Sequence, residues 1–274
     1  MTMNILEDLK ARWVLRDTYE SAVQQRIWDK RAEDFKMHPL PLLDEDPFLK
    51  RMSDEYDLNK NCSVIDVGCG AGGYSISLAG IVGKAVGVDV SPNMIKAASE
   101  RAKLEGVSNC SFYALDWSNA DIDELGLRGC FDIAFAHMTP AICDYNTLEK
   151  LDDCATGLCM LEKPSRRTNL LQDACYKQIG MSGEESLDTD LINIFTYAWA
   201  KGYEPKLYYR KEEWHVPQNI EKFSDWCIDR ARLRKNITPA EEKIIKEFIT
   251  GKADESGNVE EITNTTRVTV LWKK

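Results

Sequence analysis

The sequence has no apolar stretch approaching the roughly 20 residues that a membrane-spanning helix requires. Polar residues stand in the N-terminal region where a signal sequence would need its apolar segment. Positive charge is also scarce, since 35 lysines and arginines face 45 aspartates and glutamates and leave a formal net charge of −10. A general positive field supplies most of the non-specific affinity of proteins for nucleic acid. We therefore predict a cytoplasmic protein without a membrane segment, whose partner is a small-molecule substrate rather than nucleic acid.

The sequence also lacks the cysteine spacing of a metal site or a disulfide framework. Its nine cysteines include no C-x-x-C pair. No histidine lies near Cys154 and Cys159, the closest two cysteines outside the glycine-rich segment described below. Several cysteines fall within apparent strands, which is typical of reduced, buried thiols in an intracellular protein. We predict no metal site, and no feature of the sequence indicates an oligomeric state.

Short apolar runs alternate with helical patterns along the chain, which is the order expected of an α/β protein. We predict a single domain, 1–274, built on a doubly wound, seven-stranded, mostly parallel sheet. Its parts are an N-terminal helical lid at 1–57, a cofactor-binding core at 58–217, a helical insertion at 218–262 and a final strand at 263–274. The strand-like runs occupy residues 64–67, 85–90, 111–115, 131–136, 158–163, 205–216 and 267–272.

Two regions outside the core read as helical. Apolar side chains recur at three- and four-residue steps through residues 4–36, and the prolines that follow mark a linker before the core. The insertion carries one amphipathic helix and a second that begins with the capping box from Thr238 to Glu241 and ends at Gly251. We expect both regions to cover the substrate.

The segment from Val64 to Gly73 is a buried strand that runs into a glycine-rich turn. Glycine permits positive φ and a close approach of a ligand to the bare backbone, while the next helix directs its N–H groups at that ligand. The glycines at 68, 70 and 73 satisfy the dinucleotide pattern G-x-G-x-x-G, with Asp89 at the distance of a ribose-binding acid. Asp66, however, is a carboxylate where nicotinamide-binding folds usually place an apolar residue, and it suits a cationic ligand.

The run Val-Ile-Asp-Val-Gly-Cys-Gly-Ala-Gly at 64–72 resembles motif I of the class I S-adenosylmethionine-dependent methyltransferases, and the resemblance extends over about residues 60–163. Asp89 matches the family's acid on the cofactor ribose, and Asp116 the acid beside the adenine amino group. The resemblance implies S-adenosyl-L-methionine as cofactor and direct in-line methyl transfer. It implies the cofactor-binding residues Asp66, Gly68, Cys69, Gly70, Gly72 and Ala136 for the methionine end, Asp89 and Val90 for the ribose, and Asp116 and Trp117 for the adenine.

The acceptor side offers fewer candidates. His137 leaves the fourth strand at the ligand edge of the sheet and titrates near neutrality, so we predict it as a general base or acceptor-orienting residue. His215 is a weaker candidate by the same reasoning. Arg166 and Arg167 follow the fifth strand, either as a clamp for a carboxylate or phosphate or as a solvated loop. His137-Met138-Thr139-Pro140 replaces the Asn-Pro-Pro-Tyr of many amino-directed family members, which argues against DNA-base and protein-amide methylation.

Two rival functions remain open at this point. An NAD(P)-dependent oxidoreductase would use the glycine turn and Asp89 but would give Asp66 and Asp116 no role. A non-catalytic S-adenosylmethionine-binding protein would keep all of these residues, because a fold does not establish an activity.

Overall fold

The computed structural model describes residues 4–15, 19–182 and 188–274. Four helices precede the first strand: α1 (Ile5–Arg12), α2 (Ser21–Asp29), α3 (Ala32–Lys36) and α4 (Pro47–Glu55). The predicted helical lid is therefore broken into short pieces. The sequence analysis assigned no helix to α4, although Asp46 caps it by accepting from the backbone N–H groups of Phe48 and Leu49. Pro47 fills the first helical position, where a missing N–H costs nothing.

The chain then alternates strands and helices. The strands are β1 (Ser63–Val67), β2 (Lys84–Asp89), β3 (Cys110–Ala114), β4 (Phe131–His137), β5 (Ala155–Asn169), β6 (Lys206–Asn219) and β7 (Asn258–Lys273). The helices between them are α5 (Gly73–Ala79), α6 (Pro92–Leu104), α7 (Tyr145–Cys154), α8 (Leu170–Gln178), α9 (Asp188–Ala200), α10 (Ile220–Arg232) and α11 (Pro239–Thr250). The sheet has the predicted seven strands, in the order β3-β2-β1-β4-β5-β7-β6.

The sheet is mixed, so the prediction of a mostly parallel sheet needs a correction. Strands β3, β2, β1, β4 and β5 pair in parallel, whereas β7 is antiparallel to both β5 and β6. Strand β6 lies close to its predicted range of 205–216, whereas β7 begins nine residues before the predicted 267–272 and forms a long antiparallel ribbon with β6. Parallel pairing requires a crossover to bring the chain back, while an antiparallel ribbon does not.

Buried apolar clusters lie on both faces of the sheet. On one face, Ile65, Val88 and Ala134 pack against α1, α7 and α9. On the other face, Val64 and Phe135 pack against α4 and α5. Adjacent residues of β1 thus point to opposite faces, as the two-residue period of a strand requires. The helices on both faces leave the carboxyl ends of the parallel strands as the edge where a ligand binds.

The insertion has an apolar cluster of its own. Its two helices were correctly placed from the sequence, but they pack against α8, which was not predicted. Phe223 of α10, Ile245 of α11 and Tyr176 of α8 are fully buried there. The cluster rests on the outer part of the β6–β7 ribbon through Val259. In the described part of the chain, no helix combines the length and the apolar character that crossing a membrane would demand.

Candidate functional site

The glycine turn after β1 has the left-handed backbone expected from its sequence. Gly68, Gly70 and Gly72 have φ values of 76°, 52° and 76°. A Cβ on Gly68 would lie 2.0 Å from Thr139 Oγ1, and one on Gly72 would lie 2.8 Å from the ring of Phe112. At Gly70 the nearest atom would be in the Phe35 ring, 3.7 Å away. The turn is therefore tightly packed at Gly68 and Gly72, whereas at Gly70 the bare backbone faces only the Phe35 ring, at ordinary contact distance.

Asp66 is buried directly behind this turn. Its carboxylate is 2 % exposed and accepts a hydrogen bond of 2.7 Å from Ser75 Oγ on α5. Burial raises the pKa of Asp66 to about 7, and the nearby charge of Asp89 adds to the increase. A carboxylate in this state ionises readily when a cation approaches it.

Asp89, at the end of β2, is held by two backbone groups. Its Oδ2 accepts from Gly70 N–H at 2.9 Å, and its Oδ1 accepts from Ser91 N–H at 2.9 Å. These bonds fix the carboxylate beside the glycine turn, next to Gly70. Burial raises its pKa above the ordinary value, while the two backbone bonds act against the increase.

Asp116 follows β3 and collects several donors. Ser118 donates to Oδ1 through both its backbone N–H and its hydroxyl, at 3.0 and 2.7 Å, and Asn119 Nδ2 donates to Oδ2 at 2.7 Å. Ser21 at the start of α2 also donates to Oδ2. Burial alone would raise the pKa of Asp116, but these bonds leave it below the usual carboxyl value. The side chain of the adjacent Trp117 is buried and donates through Nε1 to the Thr147 carbonyl at 3.0 Å.

One cavity of about 760 Å³ joins most of the predicted site residues. A volume of this size is typical of small-molecule and cofactor sites. Three of the predicted residues, Asp66, Gly72 and Ala136, are not on its wall; Gly72 and Ala136 adjoin wall residues in the chain, and Asp66 stands two residues before Gly68. The predicted residues that line the cavity are Gly68, Cys69, Gly70, Asp89, Val90, Asp116, Trp117 and His137.

His137 stands where the glycine turn meets the remainder of the cavity. Its ring packs on Tyr74, with centroids 4.0 Å apart, and on Phe48, at 4.8 Å. Its Nε2 lies 3.1 Å from Oε1 of Glu162 on the neighbouring strand β5. Burial lowers the pKa of His137 below its ordinary value in spite of that carboxylate.

Glu162 is a fully buried carboxylate that receives donors from three strands. Arg210 of β6 binds it with two nitrogens at 2.9 and 3.1 Å, and from β7 Arg267 Nη1 and Thr269 Oγ1 reach it at 3.2 and 2.8 Å. Burial would raise the pKa of Glu162, but the hydrogen bond from His137 and the charge of Arg210 hold it at about 2. Because Glu162 is ionised and accepts, His137 donates its Nε2 proton. The neutral ring then has its lone pair on Nδ1.

The structure separates the two adjacent arginines that the sequence analysis considered together. A register shift between β5 and β7 lies between Ser165 and Thr168, and Arg166 within it has a φ of 49°. Arg166 is exposed, whereas Arg167 lines the cavity with its guanidinium over the ring of Trp214 at 5.7 Å. The solvated-loop interpretation is wrong for the backbone, since both residues lie within β5.

His215 lies outside the cavity wall. Its ring is half exposed and contacts Glu213 at 2.8 Å and Glu260 at 3.0 Å, so the structure offers it no role near the glycine turn.

Several cavity residues gave no signal in the sequence. Trp28 was interpreted mainly as helix packing, and Glu162, which is off the cavity wall but contacts His137, was assigned only to a strand. Trp214 and Trp226 come from β6 and α10, and Arg31 from the turn between α2 and α3. Apart from Trp28 and Arg31, which are three residues apart, these residues are distant from one another in the chain, so no contiguous motif could reveal the whole set.

Residues 58–196 match a family described as methyltransferase domain. Among curated proteins, 98 residues are 30% identical to the 23S rRNA (uracil(1939)-C(5))-methyltransferase of Marinomonas posidonica, over 34% of this chain and 22% of that protein. Another match, to sterol 4-C-methyltransferase of Caenorhabditis elegans, is 28% identical over 86 residues, 31% of this chain and 25% of that protein. The chain thus matches only a quarter or less of the length of these relatives.

Solved structures share the fold at low identity. A methyltransferase from Thiobacillus denitrificans in complex with S-adenosyl-L-homocysteine superposes with a TM-score of 0.51 at 16% identity, over 91% of this chain and 98% of that one. A phosphoethanolamine N-methyltransferase from Haemonchus contortus superposes with a TM-score of 0.52 at 13% identity, over 95% of this chain and 60% of that one. A methyltransferase from Bacillus halodurans superposes with a TM-score of 0.51 at 16% identity, over 83% of this chain and 98% of that one. At these identities the likeness concerns the fold alone.

Proposed function

The chain belongs to the methyltransferase domain family and is an S-adenosylmethionine-dependent enzyme, and from this premise we propose that it methylates a small organic molecule. The cavity carries the proposal. Its wall includes the glycine turn and His137 together with Trp28, Trp214 and Trp226. A recessed space with aromatic walls fits a small acceptor better than a macromolecule.

The cofactor half fits S-adenosylmethionine on the chemistry of its residues. When bound, this cofactor supplies a methyl group on a positively charged sulfur, which is a strong electrophile. We assign the bare backbone at Gly70 and the buried carboxylate of Asp66 to its methionine end, where the cationic amino group requires a negative partner. Asp89 accepts from the ribose hydroxyls, and Asp116 accepts from the adenine amino group.

Asp66 acts from behind the wall of the cavity, and Ala136 and Gly72 shape that wall without touching the open space. The remaining residues from 68 to 70 and at 89, 90, 116 and 117 contact the cofactor directly in this proposal. This assignment needs no metal ion, because a sulfonium is already activated and the protein has chiefly to align the reactants and exclude water.

In the acceptor half we assign His137 as the general base. The bond from its Nε2 to Glu162 fixes the ring and the tautomer, and the lowered pKa keeps the ring neutral near pH 7. No hydrogen bond to Nδ1 occurs among the described residues, so its lone pair is available for a proton. His137 therefore removes the proton of a hydroxyl or N–H nucleophile as the acceptor gains the methyl group.

Helices from both ends of the chain enclose the acceptor half. Trp28 on α2 packs on Trp226 of α10, with ring centroids 6.3 Å apart, and Lys30 pairs with Asp229 of α10 at 2.5 Å. Asp29 accepts from Ser91 Oγ at the start of α6, also at 2.5 Å. The lid thus bridges the insertion and the cofactor-binding core. This closure supports a small acceptor, although the rRNA methyltransferase among the relatives acts on RNA.

Calorimetry and thermal unfolding test the cofactor assignment. We expect S-adenosylhomocysteine to bind and to raise the melting temperature by mass action, while NAD and NADP do neither, since only the first uses Asp66, Asp89 and Asp116 together. Mass spectrometry of a small-molecule extract incubated with S-adenosylmethionine should then reveal a methylated product. A preference for NAD, or methylation of RNA in place of every small molecule in the extract, would contradict the proposal.

A further inference from the structure

The acceptor chamber contains an arginine held between aromatic rings. The guanidinium carbon of Arg31 lies 4.5 Å from the ring centroid of Trp226 and 5.5 Å from that of Phe35. Such stacking fixes the plane of the guanidinium and leaves its N–H donors directed outward from its edge. Arg31 also lines the cavity, so those donors border the open space.

Arg31 has no acceptor for these donors within the described parts of the chain. The interactions of its side chain there are the two ring contacts, without an ion pair or a hydrogen bond. A half-buried guanidinium normally has a carboxylate or carbonyl partner, because burying a charge without one is costly. The arrangement is that of a receptor which completes its hydrogen bonds with a ligand.

The surroundings of Arg31 contain charges of both signs, two further arginines and two carboxylates. Burial lowers its pKa, and the charges of Arg167 and Arg230 lower it further, while Asp34 and Glu261 act in the opposite direction. Two or more guanidinium groups near one another repel, and an anion between them relieves this repulsion.

The carboxylates nearby are already engaged. Glu261 accepts from the side-chain amides of Asn169 and Gln218 at 2.7 and 2.8 Å. Asp34 is about half exposed and pairs with Lys222 at 3.4 Å. On the far side, Arg267 is committed to Glu162 and Glu212. Arg31 and Arg167 both line the cavity, and Arg31 has no hydrogen-bonded acceptor among the described residues.

We propose, on the basis of the proposed function, that the methyl acceptor carries an oxyanion, a carboxylate or a phosphate, on a flat apolar body. Arg31 and Arg167 bind the oxyanion, and Trp28, Trp214 and Trp226 contact the body. Charge-assisted bonds from planar guanidinium groups give this recognition its strength and its geometry. The nucleophile lies at the other end of the acceptor, toward His137.

Simple probe molecules test this without knowledge of the substrate. Protein saturated with S-adenosylhomocysteine is titrated with benzoate, phenyl phosphate and neutral benzamide, and binding is followed by calorimetry and tryptophan fluorescence. We expect at least one of the two anions to bind about ten-fold or more tightly than benzamide, with an affinity that falls as salt is added. The ratio between benzoate and phenyl phosphate decides between a carboxylate and a phosphate.

Arg31→Gln and Arg167→Gln should each weaken binding of the preferred anion about ten-fold and leave benzamide unchanged. Arg166→Gln is the matched control, since it removes the same charge from the next residue on the exposed side, and it should keep wild-type affinity. Unaltered affinity for S-adenosylhomocysteine verifies that each variant is folded.

Equal affinities for the anions and benzamide, or an equal loss in Arg166→Gln and Arg167→Gln, would overturn the anionic acceptor while leaving the methyltransferase assignment intact. Failure of S-adenosylhomocysteine itself to bind would instead contradict the cofactor assignment. The two proposals therefore fail in different measurements.

Discussion

At the scale of single residues, His137 and Glu162 form a hydrogen-bonded pair in which the glutamate is ionised and the histidine is neutral at pH 7. The pKa of Glu162 is about 2, since His137 and Arg210 outweigh its burial, so it is ionised throughout the range in which the protein would be studied. The pKa of His137 is lowered by burial, so its ring is neutral at pH 7 and becomes protonated only below its ordinary pKa of about 6.5. A base of this kind loses its function as the pH falls.

We predict that His137→Ala lowers the turnover number about 100-fold or more, because the acceptor proton then has no positioned base. The dissociation constant of S-adenosylhomocysteine should stay within a few-fold of wild type. The acidic limb of the pH–rate profile, expected below about pH 6.5, should disappear. Steady-state kinetics and calorimetry on the same preparation measure these quantities.

His215→Ala is the control for this prediction, since it removes a histidine that is exposed and outside the cavity. It should leave both the rate and its pH dependence unchanged. Wild-type turnover in His137→Ala would remove the catalytic assignment, and a large loss of cofactor affinity would instead assign His137 to shaping the methionine end of the site.

Asp66 predicts a second pH effect, on cofactor binding rather than on turnover. Its pKa of about 7 comes first from burial, so near neutral pH the protein without ligand holds this carboxyl partly protonated. A cationic amino group brought close to it favours the charged form, and binding must then release a proton. We predict that the affinity for S-adenosylhomocysteine rises from pH 6 to pH 8 and levels off above the pKa of Asp66.

The measurement is calorimetry in buffers of different ionisation enthalpy, which reports the number of protons released. Asp66→Asn should bind more weakly and with a flatter pH dependence, since an amide does not titrate. If the variant released the same number of protons as wild type, the titrating group would be a residue other than Asp66. The next candidate would be Asp89, whose pKa is also raised by burial.

At the scale of elements, the sequence predicted best where local chemistry decides the structure. Strand β1 and its glycine turn are contiguous, and their backbone requirement is visible in the residues themselves. Strand β5 was expected at 158–163 but spans Ala155–Asn169. Pro164 and the two arginines look like a loop, yet Pro164 to Asn169 pair with Thr263 to Arg267 of β7. Pairing with a distant partner overrides local preference.

The missed helices α4 and α8 did carry signals. Asn169 caps α8 by accepting from Gln172 N–H at 2.9 Å, and Leu171, Cys175 and Tyr176 follow at helical spacing. Capping residues before apolar steps are the usual mark of a helix start. The acceptor chamber is a different case, because Arg31, Trp214 and Trp226 meet only through the tertiary fold.

The lid elements should differ from the sheet in their dynamics. Substrate has to enter a chamber covered by the N-terminal helices and by the insertion at 218–262, so these must open while the sheet stays closed. We predict faster amide hydrogen exchange in α2, α3 and α10 than in β1 and β4 for the protein without ligand. S-adenosylhomocysteine should slow the exchange of the lid elements selectively.

The comparison of β1 and β4 with α2, α3 and α10 is internal to each sample, so it needs no second protein as a reference. Protection of the lid elements equal to that of the two strands, with no gain on adding ligand, would mean that these helices do not open and that the entry route lies elsewhere.

At the scale of the whole molecule, two kinds of core are joined by one ribbon. The sheet has apolar clusters on both faces, and α8, α10 and α11 surround a third. Strands β6 and β7 pair without interruption from Lys206 with Leu271 to Asn219 with Asn258. The outer end of this ribbon supports the insertion, and its inner end belongs to the sheet. We therefore propose that the chain is one cooperative unit rather than a core with an independent appendage.

This continuity predicts a single transition in differential scanning calorimetry, with calorimetric and van't Hoff enthalpies in agreement. Phe223 is 1% exposed within the insertion cluster, so Phe223→Ala should lower the free energy of unfolding by roughly 3 to 5 kcal/mol. Leu104→Ala is the control, since Leu104 is 80% exposed and its truncation should change little. In a single unit, Phe223→Ala moves the whole transition to lower temperature, and S-adenosylhomocysteine moves it back although the ligand does not touch Phe223. A separate early transition in Phe223→Ala, insensitive to the ligand, would instead mean that the insertion melts alone and that the ribbon does not couple it to the sheet.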